Sequence, residues 1–369
     1  MARLSKAVVY REGNASVVVE EIQVRSPHRD EVTIQVAACG VCHSDFSATD
    51  GTIPIPPPVV LGHEGAGVVV EVGDGVTDLA MGDHVVTVFV SMCGRCRYCV
   101  TGHPALCDQA SRTVSTLPDG TVPTQDANGE PLNVFTGCGV MSQYATLHVD
   151  SVIPIDDTIP LDRAALIGCG VMTGVGAVIN TAGVEPGSTT VVFGAGGVGL
   201  NAIQACSLAG AAMVVAVDTL DSKLELARQF GATHTVNAAA EGNVVKAVRR
   251  LTGGGADYAF ECVGNGKVVE QAYGAVRKGG TAVVVGVAPP GDRTSIRTAS
   301  LTFGEKTLKG SYFGSARPRD DFPRLLALYR SGRLMLDELI TGTYSIDEAP
   351  QAFADLIEGK NARGVIVFE

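Results

Sequence analysis

A chain of 369 residues, 46% apolar and 18% charged, has the apolar material for two or three cored domains and too little charge for a disordered polymer. Its 39 acidic residues outnumber 28 basic ones, and the resulting net charge of −11 argues against non-specific nucleic-acid binding. The start, MARLSKAVVYREG, has neither a long apolar core nor a small-residue cleavage site. No export signal is therefore expected, the location is expected to be cytoplasmic, and ten cysteines are expected to serve metal before disulfides.

The first 160 residues read as short strands broken by turns: KAVVY, VEEIQV, EVTIQVAA, GAGVVVEVG and GDHVVTV. Residues 108–133 are polar and turn-rich and are expected to form a long surface loop. Near Leu161 the pattern changes to strands alternating with helical stretches. Strand TTVVFG, a helix from about Gly199, strand MVVAVD and helix SKLELARQFG follow in order. Then come strand THTVN, helix GNVVKAVRRL, strand DYAFECVG, helix KVVEQAYGAV and strand TAVVVGV. Such alternation predicts a parallel sheet with crossover helices. Residues 186–217 carry no charge, long enough to resemble a membrane span, but four glycines in six residues divide them into strand, turn, helix and strand. No membrane association is expected. A last strand in KTLKGSYFG, helices in DDFPRLLALYRSG and DEAPQAFADLIEG, and strand ARGVIVFE close the chain. One domain inserted in another is the simplest arrangement.

The turn GAGGVG supplies Gly194, Gly196, Gly197, Val198 and Gly199 directly after an apolar strand and before a helix, and Asp218 ends the next strand. Together these form a dinucleotide-binding fingerprint. Glycines let backbone approach the pyrophosphate, and the helix N-terminus faces its charge. Asp218 can accept from both adenosine ribose hydroxyls and would repel a 2′-phosphate, which favours NAD. Lys223 lies one turn into the next helix, over the adenine end or in solvent.

Cys93, Cys96, Cys99 and Cys107 follow C-x2-C-x2-C-x7-C, a spacing that can close a tetrahedron around a structural zinc. His103 lies inside that lobe and reads as a surface residue. A second set is dispersed: Cys42 in GVCHSD, His63 and Glu64 in GHEGAGVV, and Cys169 in GCGVMTG. Two cysteines and a histidine make a three-ligand zinc site with an open position. Neighbours in extended backbone point to opposite sides, so Cys42 and His43 are not expected to share a metal.

These motifs, with the four-cysteine lobe, GAGGVG and the closing ARGVIVF, resemble the zinc-dependent medium-chain alcohol dehydrogenases over essentially the whole chain. The stretch LMLDELITGTYSIDEAPQAFADLIEGKNARGVIV looks most like bacterial, especially actinobacterial, members acting on primary or aromatic alcohols. GCGVMTGVGAVINT also looks like the thiol-dependent formaldehyde dehydrogenases, whose adduct needs a basic patch to which Arg112 could contribute. The resemblance implies an α/β fold, a doubly wound Rossmann sheet (169–312) inserted in a mainly β GroES-like catalytic domain (1–168 and 313–369), with the zinc lobe at about 91–108. It implies hydride transfer between an alcohol and NAD, two zinc ions per chain, and a homo-oligomer, dimer before tetramer, because the 108–133 loop resembles that of dimeric members. Catalytic zinc falls on Cys42, His63 and Cys169, with Glu64 behind it. Asp45 orients His63, and Ser44 starts proton transfer. His43 and Arg363 face the cofactor pyrophosphate, Thr173 lies near the nicotinamide, and Val287 is counted among the cofactor-binding residues. Phe89 and Phe135 line the substrate pocket or serve as core. Ser47 stands where the animal branch has a relay histidine.

Overall fold

The computed structural model describes residues 2–12 and 16–368. Two compact units emerge: Met1–Cys169 with Arg317–Ser331 and Leu336–Glu369, and Gly170–Ala316 with Gly332–Met335. The expected breaks at 168/169 and 312/313 lie one and four residues earlier than these. The short return at 332–335 was not foreseen. It is held by Gln204, whose Oε1 accepts from Met335 N at 3.0 Å and whose Nε2 donates to Met335 O at 3.3 Å.

The first unit contributes ten strands before the insertion: β1 (Arg3–Tyr10), β2 (Val18–Val24), β3 (Glu31–Val41), β4 (Val59–Val60), β5 (Gly65–Val72), β6 (His84–Thr87), β7 (Thr124–Gln125), β8 (Pro131–Val134), β9 (Tyr144–His148) and β10 (Val152–Pro154). β1, β2, β7, β8 and β4 close a small barrel around Val9, Ile22, Val24, Val60 and Leu132. A second sheet runs β10-β6-β5-β3, with β9 also on β3. β3 is EVTIQVAACGV, polar at Glu31, Thr33 and Gln35 and without a charge or amide from Val36 on, and it is buried along nearly its whole length, as befits a central strand.

Residues 108–133 are not wholly a surface loop. β7 and β8 pair through Thr124–Leu132 and Gln125–Pro131, and Thr113, Leu117 and Thr124 are buried. Asp126 Oδ1 accepts from Asn128 N and Glu130 N and so shapes the turn between the strands. The apolar residues here are too few and too scattered to show a strand period.

The second unit carries β11 (Thr189–Phe193), β12 (Met213–Asp218), β13 (His234–Asn237), β14 (Ala256–Glu261), β15 (Val276–Val284) and β16 (Thr307–Gly310). All their pairings are parallel, in the order β13-β12-β11-β14-β15-β16. This is the doubly wound order, with the reversal between β11 and β14. The charge-free 186–217 segment resolves into β11, the glycine turn, helix Gly197–Leu208 and β12. No single helix among the described residues is long and apolar enough to cross a membrane.

Back in the first unit, β17 (Ile340–Tyr344) and β18 (Arg363–Val367) complete the second sheet. β18 pairs antiparallel with β3 and parallel with β17. The resulting register sets Val41 opposite Gly364, while Cys39 of β3 lies opposite Gly65 of β5. The ends of three strands therefore converge where the polar residues collect.

Candidate active site

One ligand atom each from Cys42, His63, Glu64 and Cys169 lies within 4.8 Å of the others, and all four residues are buried. Cys42 follows the last residue of β3 and caps helix His43–Thr49. His63 and Glu64 immediately precede β5, and Cys169 ends the 3-10 turn Leu166–Gly168. GVCHSDFS is therefore a strand end followed by a helix, not one extended segment. The outcome for the pair is still separation: Cys42 is buried and His43 is exposed.

The donor set suits zinc. His63 Nε2 is buried and has no hydrogen-bond partner in the protein, an arrangement that costs free energy unless a ligand takes it up. Cys42 is held well below the usual thiol range, chiefly by the hydrogen bond from Cys169, and with it come His63 and Arg363 nearby. Two soft sulfurs, one of them readily ionised, and an imidazole nitrogen make a nitrogen–sulfur ligand set of the zinc type.

The surrounding residues orient this set. Asp45 is fully buried; its Oδ1 accepts from Gly62 N at 2.8 Å and its Oδ2 lies 3.1 Å from His63 Nδ1. That carboxylate keeps the proton on Nδ1 and leaves Nε2 free for metal. Gly62 has φ 98°, and a Cβ there would sit 2.1 Å from Met141 N, so only glycine can make this turn.

Arg363, expected to face the cofactor pyrophosphate, has a partner within the chain as well. It is only 6% exposed, and its Nη2 contacts Glu64 Oε2. The reason is register, because β18 on β3 brings position 363 beside the metal set. Burial pushes the Glu64 carboxyl up to about 7, and Arg363 holds it back from rising further. A Cβ at Gly40 would lie 2.3 Å from Glu64 Oε2, so the glycine of GVCHSD makes room for this pair.

Phe89 and Phe135 both stand edge-on to the His63 ring, with centroids at 5.6 and 5.3 Å. Phe135 is fully buried in the core, while Phe89 is half-buried against it. Ser44 is half-buried, with its Oγ 3.7 Å from Cys42 Sγ. Ser47 is buried on the same helix.

Cys93, Cys96, Cys99 and Cys107 also gather within 4.8 Å. The Cys93–Cys107 and Cys96–Cys107 sulfurs are 3.6 and 3.9 Å apart. A regular tetrahedron with zinc–sulfur bonds of about 2.3 Å has edges of about 3.8 Å. Backbone N–H groups of Cys96, Cys93 and Gln109 point at these sulfurs, which favours thiolates. Cys96 is lowered to about 6 by the backbone N–H groups of Cys99 and Asp108, whereas burial pushes the Cys99 and Cys107 thiols up.

In the second unit, Gly194 has φ 91° and a Cβ at Gly199 would meet Gly194 O at 1.8 Å. Gly196 caps helix Gly197–Leu208, leaving N–H groups of Gly197, Val198 and Gly199 at its open end. Asp218 ends β12 beside this turn, with Oδ2 accepting from Ala195 N at 2.8 Å. Lys223 lies in the first turn of helix Asp221–Gln229, and Val287 is exposed after β15. Thr173 lies in helix Gly170–Gly176, which packs on helix Gly197–Leu208 through Gly174. Arg112 is exposed at the end of its 3-10 turn. Sequence reading missed Glu261, a buried acid at the end of β14. Its signal was an acid directly before the glycine turn CVGN.

Comparison with known proteins agrees with this geometry. Residues 28–157 match the alcohol dehydrogenase GroES-like domain, and residues 197–331 match the zinc-binding dehydrogenase family. The chain is similar to the NDMA-dependent alcohol dehydrogenase of Amycolatopsis methanolica, 42% identical with 98% of each chain covered. It is also similar to the S-(hydroxymethyl)glutathione dehydrogenase of Paracoccus denitrificans, 39% identical over 99% of this chain and 100% of that one. Among solved structures, benzyl alcohol dehydrogenase of Acinetobacter calcoaceticus superposes with a TM-score of 0.92, 34% identity and full coverage of both chains. A buried Cys, His and Cys set, a four-cysteine lobe, a glycine-turn nucleotide fold and end-to-end similarity lead to one conclusion: the chain belongs to the zinc-dependent medium-chain alcohol dehydrogenases, enzymes that work with a nicotinamide cofactor.

Proposed function

We propose that the chain oxidises primary alcohols, aromatic ones included, to aldehydes with NAD, at a zinc held by Cys42, His63 and Cys169. The observation that carries this is the four-residue cluster with His63 Nε2 left without a protein partner. Zinc, when bound, supplies a Lewis acid that acidifies the alcohol, and NAD supplies the hydride acceptor. Ser44, beside Cys42, accepts the hydroxyl proton of the substrate as it hands its own hydroxyl proton on to water. Asp45 keeps His63 in the ligating tautomer. Glu64 and Arg363 hold a carboxylate and a guanidinium behind the ligands, so that charge in the site is balanced. Phe89 and Phe135 flank His63 with aromatic edges, which suits an aromatic or aliphatic alcohol better than a charged one. Gly194–Gly199 cradle the pyrophosphate, and Asp218 takes the adenosine ribose and disfavours a 2′-phosphate. Ser47, buried on the Ser44 helix, replaces a relay histidine, so proton release passes from Ser44 to solvent without an imidazole.

Dehydrogenation of the S-hydroxymethyl adduct of a low-molecular-weight thiol is the second reading, supported by similarity to the Paracoccus enzyme. NAD and NADP reduction, followed by absorbance across primary, secondary and aromatic alcohols and across formaldehyde with and without thiols, separates the two. The first reading expects turnover of benzyl and primary alcohols with NAD. Turnover of formaldehyde only in the presence of thiol overturns it. We also propose a homodimer through the β16 edge, where Leu301, Phe303, Leu308 and Tyr312 are exposed. Ten free thiols, seven of them in the two ligand sets, suit a reducing compartment such as the cytoplasm.

A further inference from the structure

The order of the parallel sheet decides which strands serve which half of the cofactor. With the pyrophosphate on the turn after β11 and the adenosine ribose on Asp218 after β12, the nicotinamide half must extend to the other side of β11. It then lies over the C-terminal ends of β14 and β15. Two turns leave those ends, ECVGN after β14 and VGVAP after β15. Each presents one large exposed aliphatic side chain: Val263 is 55% exposed and Val287 59%.

These turns are built as one piece. A Cβ at Gly264 would meet Val287 O at 2.4 Å, and one at Gly286 would meet Gly264 N at 2.1 Å. Cys262 N donates to Phe193 O at 2.9 Å, which ties the first turn to the strand that carries GAGGVG. At the centre is Glu261, fully buried. Its Oε1 alone accepts from Val263 N at 2.9 Å, Gly264 N at 2.7 Å and Asn265 N at 3.4 Å. Its main-chain oxygen accepts from Val285 N and Gly286 N of the second turn. Asn265 then caps the next helix, its Oδ1 accepting from Lys267 N and Val268 N. A carboxylate spent on three consecutive backbone donors fixes the direction of the residues that carry them.

We infer that Glu261 is a positioning residue for the nicotinamide half of the cofactor: its carboxylate holds the Val263 turn, and through it the Val287 turn, in the shape on which that half rests. This rests on the NAD reading above. Glu261 is fully buried and acts through Val263, Gly264 and Asn265.

The test compares binding of NADH with binding of 5′-AMP, which occupies only the adenosine side, to the intact protein and its variants. Glu261→Ala is expected to weaken NADH about tenfold and to leave 5′-AMP within about twofold. Glu261→Asp keeps the charge but draws the oxygen away from the three donors, so it should show the same selective loss should the alanine variant not fold. Glu261→Gln keeps a carbonyl oxygen at the Oε1 position and should hold NADH affinity within about threefold. Equal weakening of NADH and 5′-AMP in the alanine or aspartate variant would show a merely structural role and overturn the inference. Unchanged NADH affinity in both variants would overturn it as well. Wild-type protein that binds 5′-AMP but not NADH would instead overturn the NAD reading and remove the basis of the inference with it.

Discussion

Asp45 shows how much a single buried carboxylate can decide. Its two oxygens face two donors, Gly62 N and His63 Nδ1. Asparagine at this position has only one acceptor oxygen. If that oxygen stays with Gly62, an NH2 group faces Nδ1 and forces the ring proton onto Nε2, the nitrogen required for metal. Asp45→Asn is therefore expected to lower metal affinity and turnover by about 10–100-fold, with zinc analysis after dialysis falling from two ions per chain towards one. Retention of both ions at wild-type activity would show that the carboxylate does not control the tautomer. The ligands themselves were legible because each thiol or imidazole stands among glycines in a recognisable motif. The partner of Arg363 was not: its contact with Glu64 spans 299 positions and depends on β18 pairing with β3.

At the scale of elements, the four-cysteine lobe and the C-terminal helix illustrate two means of support. The lobe holds one short α-helix, Arg97–Val100, with no buried residue, and one 3-10 turn, Pro104–Leu106, that buries only Ala105, so metal takes the place of a core. Cys107→Ser should release one zinc and make the lobe a site of limited proteolysis, detectable by mass spectrometry of the first fragments. A protease-resistant lobe in that variant would mean that packing alone holds it. Helix Ala349–Ile357 is instead tied by Asp355, which accepts from Tyr344 Oη at 2.7 Å, Gln351 Nε2 at 2.8 Å and Lys360 Nζ at 2.9 Å. These bonds, that from Tyr344 foremost, hold its carboxyl down at about 2. Because the folded value lies below the ordinary 3.8, the stabilisation is present above that ordinary value and is lost as pH falls towards 2. The melting temperature of Asp355→Asn should therefore fall less steeply than wild type between about pH 4 and pH 2. Parallel curves would rule the network out as a source of acid sensitivity. Legibility at this scale followed length. The six strands of the doubly wound sheet alternate visibly with helices, whereas β4 and β7 are two residues each and no period can be read from two residues. β17 gives no clear strand signal because ITGTY is only five residues long, has a glycine at its centre and is nowhere fully buried.

At the scale of the whole molecule, the exposed edge of the six-stranded sheet bears on assembly. The β16 edge of the six-stranded sheet leaves Phe303 83% exposed beside unpaired strand groups, a surface that invites a second copy. Phe303→Asp is expected to shift the proposed dimer to monomer in size-exclusion chromatography with light scattering, with the alcohol reaction per chain retained at the metal set. An unchanged dimer mass would place the interface elsewhere. The return of residues 332–335 to the nucleotide unit has a different consequence, for inheritance. The chain passes between units after 169, 316, 331 and 335, so the nucleotide unit is not one continuous cassette. A graft limited to 170–316 would leave Gln204, only 2% exposed, without the Met335 backbone groups that satisfy its amide. Recombination that exchanges this unit between relatives is therefore penalised unless both segments travel together, which ties the cofactor half of the enzyme to the tail of its catalytic half.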